Sequence, residues 1–190
     1  MLGFWGSRPG VLGLAPRPAA VSGPRVRRGG VAARRARLYR AHAVTDVHIV
    51  VGILALALNL AAFLLGAAAW WRRRASAWFW RLLRSGQACV ALEAALGGVL
   101  LLMGRRATSL HYLYGALPLV VGLIAEQLKL SAATMVLDAR GLPDAQSVAR
   151  LPAAEQRAVV VAVLRREIGT MTLAALVVTA LLFRAATVVH

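Results

Sequence analysis

Four stretches of the chain, 47–70, 87–103, 110–130 and 168–189, are so continuously apolar that each must cross a membrane or be buried on every side. A helix needs roughly 20 apolar residues to cross a hydrocarbon core about 30 Å thick, and as a helix it satisfies its own backbone polar groups there. The second stretch is the shortest and carries Glu93, but its neighbours are too long and too apolar to form a soluble core around it. The chain as a whole is 59% hydrophobic, with a mean hydropathy of +0.67, well above a soluble domain. The expected fold is therefore all-α: a polytopic membrane protein in which four transmembrane helices form one bundle over 45–190.

A formal net charge of +16 invites a nucleic-acid partner, but 22 of the 23 basic residues are Arg in a chain dominated by Ala, Leu, Val and Gly. That skew follows from GC-rich coding, so the positions of the charges say more than their sum. Most lie outside the spans, and no nucleic acid is expected as a partner. The single Cys89 falls within the second span, which excludes an intrachain disulfide.

Residues 1–44 hold nine Arg, four Pro and no acidic residue, and they lack the apolar run of a signal peptide. Disorder is expected there, and translation is expected to start downstream of Met1, near Val44. Recovery of a peptide from 2–40 in native protein would refute that start. Orientation depends on it, because positive charge favours the cytoplasmic side. With the tail counted, the two orientations tie at eleven basic residues each; without it, eleven stand against two. The second count places both termini outside and the loops 71–86 and 131–167 in the cytoplasm of a bacterial plasma membrane.

Trp70, Trp71, Trp78 and Trp80 alternate with five Arg around the first of these loops, the composition of an interfacial aromatic belt with snorkelling arginines. The third span is predicted to continue as helix to about Arg140, where Gly141 and Pro143 stop it, and Pro152 suits the start of a helix running into the fourth span. The result is a helical hairpin projecting into the cytoplasm. The sequence has no fixed-period repeat, Gly-rich phosphate loop, HExxH or CxxC pattern. Neither a catalytic set nor a metal-ion site is expected.

Ionisable groups inside a membrane are costly, so each carries a functional hypothesis. Thr45 or Asp46 is predicted to cap the first span and Thr108 or Ser109 the third, which puts His48 and His111 in the first turns of two parallel helices at similar depth. The helix dipole there favours a neutral imidazole, the form that binds a metal or haem iron. Arg184, sixteen residues into the antiparallel fourth span, returns to the same level, to meet haem propionates or to pair with Asp46. Glu93 lies six residues from the start of the second span and Glu126 four before the end of the third, so both are expected in the inner leaflet. Together they suit a proton relay, although Lys129 at i+3 offers Glu126 an ordinary ion pair. Asn59 is expected to bond across helices, Ala94, Gly97 and Gly98 to form a small packing face, and Pro118 to kink the third span.

Taken together, His48 to Arg184, with Leu110-His111-Tyr112-Leu113-Tyr114-Gly115, Ala125-Glu126-Gln127-Leu128 and Arg165-Arg166-Glu167, resembles a family of small four-span membrane proteins of GC-rich bacteria that has no assigned activity. Ala95-Leu96-Gly97-Gly98-Val99-Leu100, ahead of a span opening with His111, also resembles one four-helix half of haem A synthase. No cofactor is expected from the residues themselves; that likeness implies haem b as the alternative, with His111 and His48 as ligands, and the Glu and His-Arg motif that the family carries ahead of its first ligand is missing here. Three functions follow as expectations. The first is a structural or partner-binding bundle, associating with itself or with a larger membrane complex. The second is a haem-binding or electron-transfer protein built on His48 and His111, and the third a proton-coupled transporter or channel built on Glu93 and Glu126.

Overall fold

The computed structural model describes residues 28–188; of the tail 1–44 expected to be disordered, 1–27 lie outside the described residues and 28–44 are helical. Among the described residues all regular structure is helical: α1 (Arg28–Trp71), α2 (Ala77–Leu102), α3 (Ser109–Leu130), α4 (Ala132–Asp138), α5 (Ala145–Ala149) and α6 (Ala153–Thr187). Four of these, α1, α2, α3 and α6, are long and apolar enough to cross a membrane.

Two boundaries differ from the sequence reading, and both matter for the site. First, α1 begins at Arg28 and runs through Thr45 and Asp46 without a cap, because Ala, Arg and Leu are strong helix formers and the helix contains no proline. Thr45 instead donates its hydroxyl to the Ala41 carbonyl one turn back. His48 is therefore an interior residue of a long helix. Second, α2 begins at Ala77, capped by the Ser76 side chain, which accepts from Phe79 N. The connection from α1 shrinks to a tight turn whose Arg73 has φ +53°. Trp78 and Trp80 belong to the helix, and Glu93 moves from an early position to one well past the middle.

Long α1 and α2 pack antiparallel in a regular register. Gly66 faces Phe79, Asn59 faces Gly86, and Gly52 faces Glu93, so contacts recur every seven residues on both helices. Each step sets a large or polar side chain into the notch of a glycine, the close fit that apolar solvent cannot supply by itself. A Cβ on Gly86 would lie 2.8 Å from the Asn59 amide, and one on Gly52 would lie 2.8 Å from the Glu93 carboxyl. Asn59 does not bond across helices as expected: it donates to its own Ala55 carbonyl at 2.8 Å.

Helix α6 packs against both α1 and α3 and carries much of the interior, with Ile168, Met171, Ala175 and Val178 buried. Helices α2 and α3 approach each other much less closely. At one end, Ser131 separates α3 from α4, Gly141 takes φ +67° after Asp138, and Asp144 caps α5 before Pro152 opens α6. Short α4 and α5 pack on α6, and Ser131 interrupts the helix predicted to run on from the third span to about Arg140. At the far end, Gly104 turns the chain at φ +82° and Thr108 caps α3.

Candidate functional site

Near that far end, all four long helices contribute a polar group to one layer. The α1/α2 register sets His48 beside Gly97, whose Cβ would lie 3.6 Å from His48 Cε1, and sets Glu93 against Gly52 one turn away. His48 Nδ1 consequently stands 3.2 Å from Glu93 Oε1. This is ion-pair range but not hydrogen-bond geometry, so His48 Nδ1 and Glu93 Oε2 are buried without hydrogen-bond partners. From α3, His111 brings its ring to 6.2 Å from that of His48, centre to centre, with the planes inclined by 71°. From α6, the Ala185 carbonyl lies 3.0 Å from His111 Nδ1. A carbonyl oxygen only accepts, so His111 Nδ1 carries the proton, and in the neutral ring Nε2 is left with a free lone pair.

Local sequence fixes the His111 end firmly. Thr108 accepts from His111 N at 3.3 Å while donating its hydroxyl to the Val188 carbonyl at 2.7 Å, tying the start of α3 to the end of α6. Tyr112 OH accepts from Ala107 N at 2.9 Å and holds the same turn. Arg184 does return to this level, being the neighbour of Ala185, but its guanidinium lies over the Tyr114 ring, 6.0 Å from the centroid. It is not paired with Asp46.

A second polar cluster lies toward the hairpin end. Arg84 Nη1 donates to Glu126 Oε1 at 2.6 Å and Nη2 donates to Oε2 at 3.2 Å, the two-pronged guanidinium–carboxylate arrangement. Gln87 Nε2 donates to Glu126 Oε1 at 3.0 Å and its Oε1 accepts from Arg84 at 2.8 Å. Lys129 Nζ stands 3.8 Å from Glu126 Oε2. The expected Lys129 pair is thus present but secondary.

The two carboxylates do not form one site. Gln87, at the Glu126 level, and Glu93 are six residues apart along α2, about 9 Å of helical rise. Glu93 and Glu126, both expected in the inner leaflet, thus stand at different levels of the bundle, because α2 starts ten residues earlier than hydropathy suggested. Sequence reading also missed Arg84, Gln87 and the Ala185 carbonyl. The signal for the first two was Ser76, a capping residue ahead of Ala77-Trp78-Phe79-Trp80, which brings Arg84 and Gln87 onto α2. A backbone carbonyl leaves no signal. Among the described residues no cluster of three or more His, Cys, Asp or Glu side chains is arranged to hold a metal ion. No known protein family, curated protein or solved structure matches the chain.

Proposed function

We propose that this is a four-span membrane protein that holds haem b between His48 and His111 and passes electrons through it. Membrane insertion is supported by the large apolar side chains that the bundle turns outward. Leu123 is 69% and Phe183 61% exposed, whereas Asn59 and Thr172 are 1% and 3% exposed. A soluble bundle has the opposite arrangement.

One observation carries the haem reading: two histidines 63 positions apart meet at 6.2 Å, with the Glu93 carboxyl at ion-pair distance from His48 Nδ1 and the Ala185 carbonyl bonded to His111 Nδ1. A metal–imidazole bond is about 2 Å, so two rings on opposite sides of one ion have centres roughly 6 Å apart. A histidine ligand is normally held by a carboxylate or carbonyl on its other nitrogen. His48 and His111 would bind through Nε2, Ala185 would fix the tautomer of His111, and Arg184 would supply a positive charge on that level for the propionates. The group, when bound, supplies a one-electron carrier. The likeness to half of haem A synthase points the same way.

The test is an absorption spectrum of the protein purified in mild detergent from its native host, oxidised and then reduced with dithionite. A Soret band with sharpened reduced α and β bands is expected, lost in His48→Ala and in His111→Ala. A colourless protein from which no haem can be extracted would overturn the proposal. A partner-binding bundle is the second reading, favoured by Gly98 and Gly115, where an added Cβ meets nothing within 4 Å. Such open small-residue positions suit a helix from outside the chain.

A further inference from the structure

We propose that the seam between α2 and α3 is a lipid site, in which an acyl chain of an anionic phospholipid fills an apolar groove and the phosphate rests at Lys129. The inference rests on the membrane reading and is independent of haem. Where α2 and α3 fail to close on each other, a cavity of about 300 Å³ opens between them and α6. Its walls include Leu83 and Val90 of α2, Pro118 and Gly122 of α3, and Met171 and Val178 of α6. The space exists because Gly122 has no side chain and a Cβ there would meet nothing within 4 Å, while Ala174 and Ala175 are too small to fill it from α6. Along α3 it runs from Glu126 to Pro118, about 12 Å of helical rise. An empty void of that length forfeits packing on every wall. In a bilayer, the only abundant material able to fill it is a hydrocarbon chain.

The mouth of the groove specifies the head group. Arg84, Gln87, Glu126 and Lys129 sit at one end of it, and two cations face one carboxylate. Arg84 is committed to Glu126 by two hydrogen bonds, whereas Lys129, 3.8 Å from Glu126, retains unused donors. Lys129 lies 4.9 Å from the centre of the Trp80 ring and Arg81 lies 5.1 Å from that of Trp78, so the mouth is set in a belt of aromatic and basic residues. Such belts lie at head-group depth, and basic pockets between membrane helices bind phosphate head groups.

The experiment offers the full-length protein equal amounts of phosphatidylglycerol and phosphatidylcholine in detergent and reads retained lipid by native mass spectrometry. The parent protein should retain lipid with a preference of roughly fivefold for phosphatidylglycerol, the ratio that one basic residue near a head group supplies. Gly122→Phe, which fills the groove, should retain neither lipid while keeping the parent helical circular dichroism. Ala174→Leu narrows the groove from α6 and serves if Gly122→Phe does not fold. Lys129→Gln should retain both lipids equally. No retained lipid, equal retention by the parent, unchanged retention in the groove-filling variants, or a second copy of the chain seated there in place of lipid would each overturn the proposal. Alkaline carbonate extraction separates the two failures: a chain released from membranes sinks the membrane reading itself, whereas an integral chain without lipid sinks only this site.

Discussion

The two polar clusters differ in how completely their atoms are satisfied. At the hairpin end, both oxygens of Glu126 receive donors, from Arg84 twice and from Gln87, with Lys129 alongside. At the far end, His48 Nδ1 and Glu93 Oε2 are buried without partners even though the two side chains touch. A complete network behaves as a lock between helices, and here it is the principal polar tie across the loosely packed α2/α3 seam. An incomplete one leaves desolvated groups that cost free energy until something binds to them.

That contrast can be broken most decisively with the histidines. His111→Ala should remove essentially all of the haem signal while leaving the Arg84–Glu126 pair and the helical content intact. Arg84→Gln should keep the spectrum. A spectrum that survives His111→Ala, or vanishes in Arg84→Gln, would reverse the roles of the two clusters.

The same substitution in each cluster gives a sharper test. Glu126→Gln removes the charge that Arg84, Gln87 and Lys129 face and should cost about 1–2 kcal/mol in thermal unfolding, the low end for a charged hydrogen-bond network because Arg84 is half exposed. Glu93→Gln removes a charge with no hydrogen-bonded partner and should change stability by less than about 1 kcal/mol in either direction. Equal losses would remove the distinction.

Two glycines on the facing helices test whether close packing holds the far cluster in place. Gly52→Ala puts a methyl group 2.8 Å from the Glu93 carboxyl and should push it away from His48, shifting the haem spectrum. Gly98→Ala meets no atom and should stabilise α2 by about 0.5–1 kcal/mol. The smallest effect is expected outside both clusters. Hydrogen bonds from the Ser147 hydroxyl and then the Ser147 backbone N–H hold the Asp144 carboxyl below its usual value of 3.8. Since the folded value is the depressed one, the capping contribution is complete above that ordinary value and is lost as pH falls through the lower one. The protection of the Ser147 amide against hydrogen exchange, relative to an unfolded amide at the same pH, should therefore fall only at acid pH, and Asp144→Asn should abolish that fall.

Hydropathy alone determined the number of long apolar helices, and local chemistry located several of their ends. Thr108 caps α3, Gly141 turns the chain after α4, and Pro152 opens α6 where the sequence reading put them. These features depend on a residue and its near neighbours, so they can be read along the chain. The start of α2 was also written locally, in Ser76, but the apolar average of the span concealed it because tryptophan and arginine share its first turns. Tertiary structure decided which groups meet. Whether Glu93 stands beside His48 or near Glu126 depends on the seven-residue register of α1 against α2, and whether His111 is oriented depends on where α6 presents the Ala185 carbonyl. Contacts between helices are set by phase and register, two quantities that exist only once helices are packed, whereas composition and capping act within a single helix before any packing occurs.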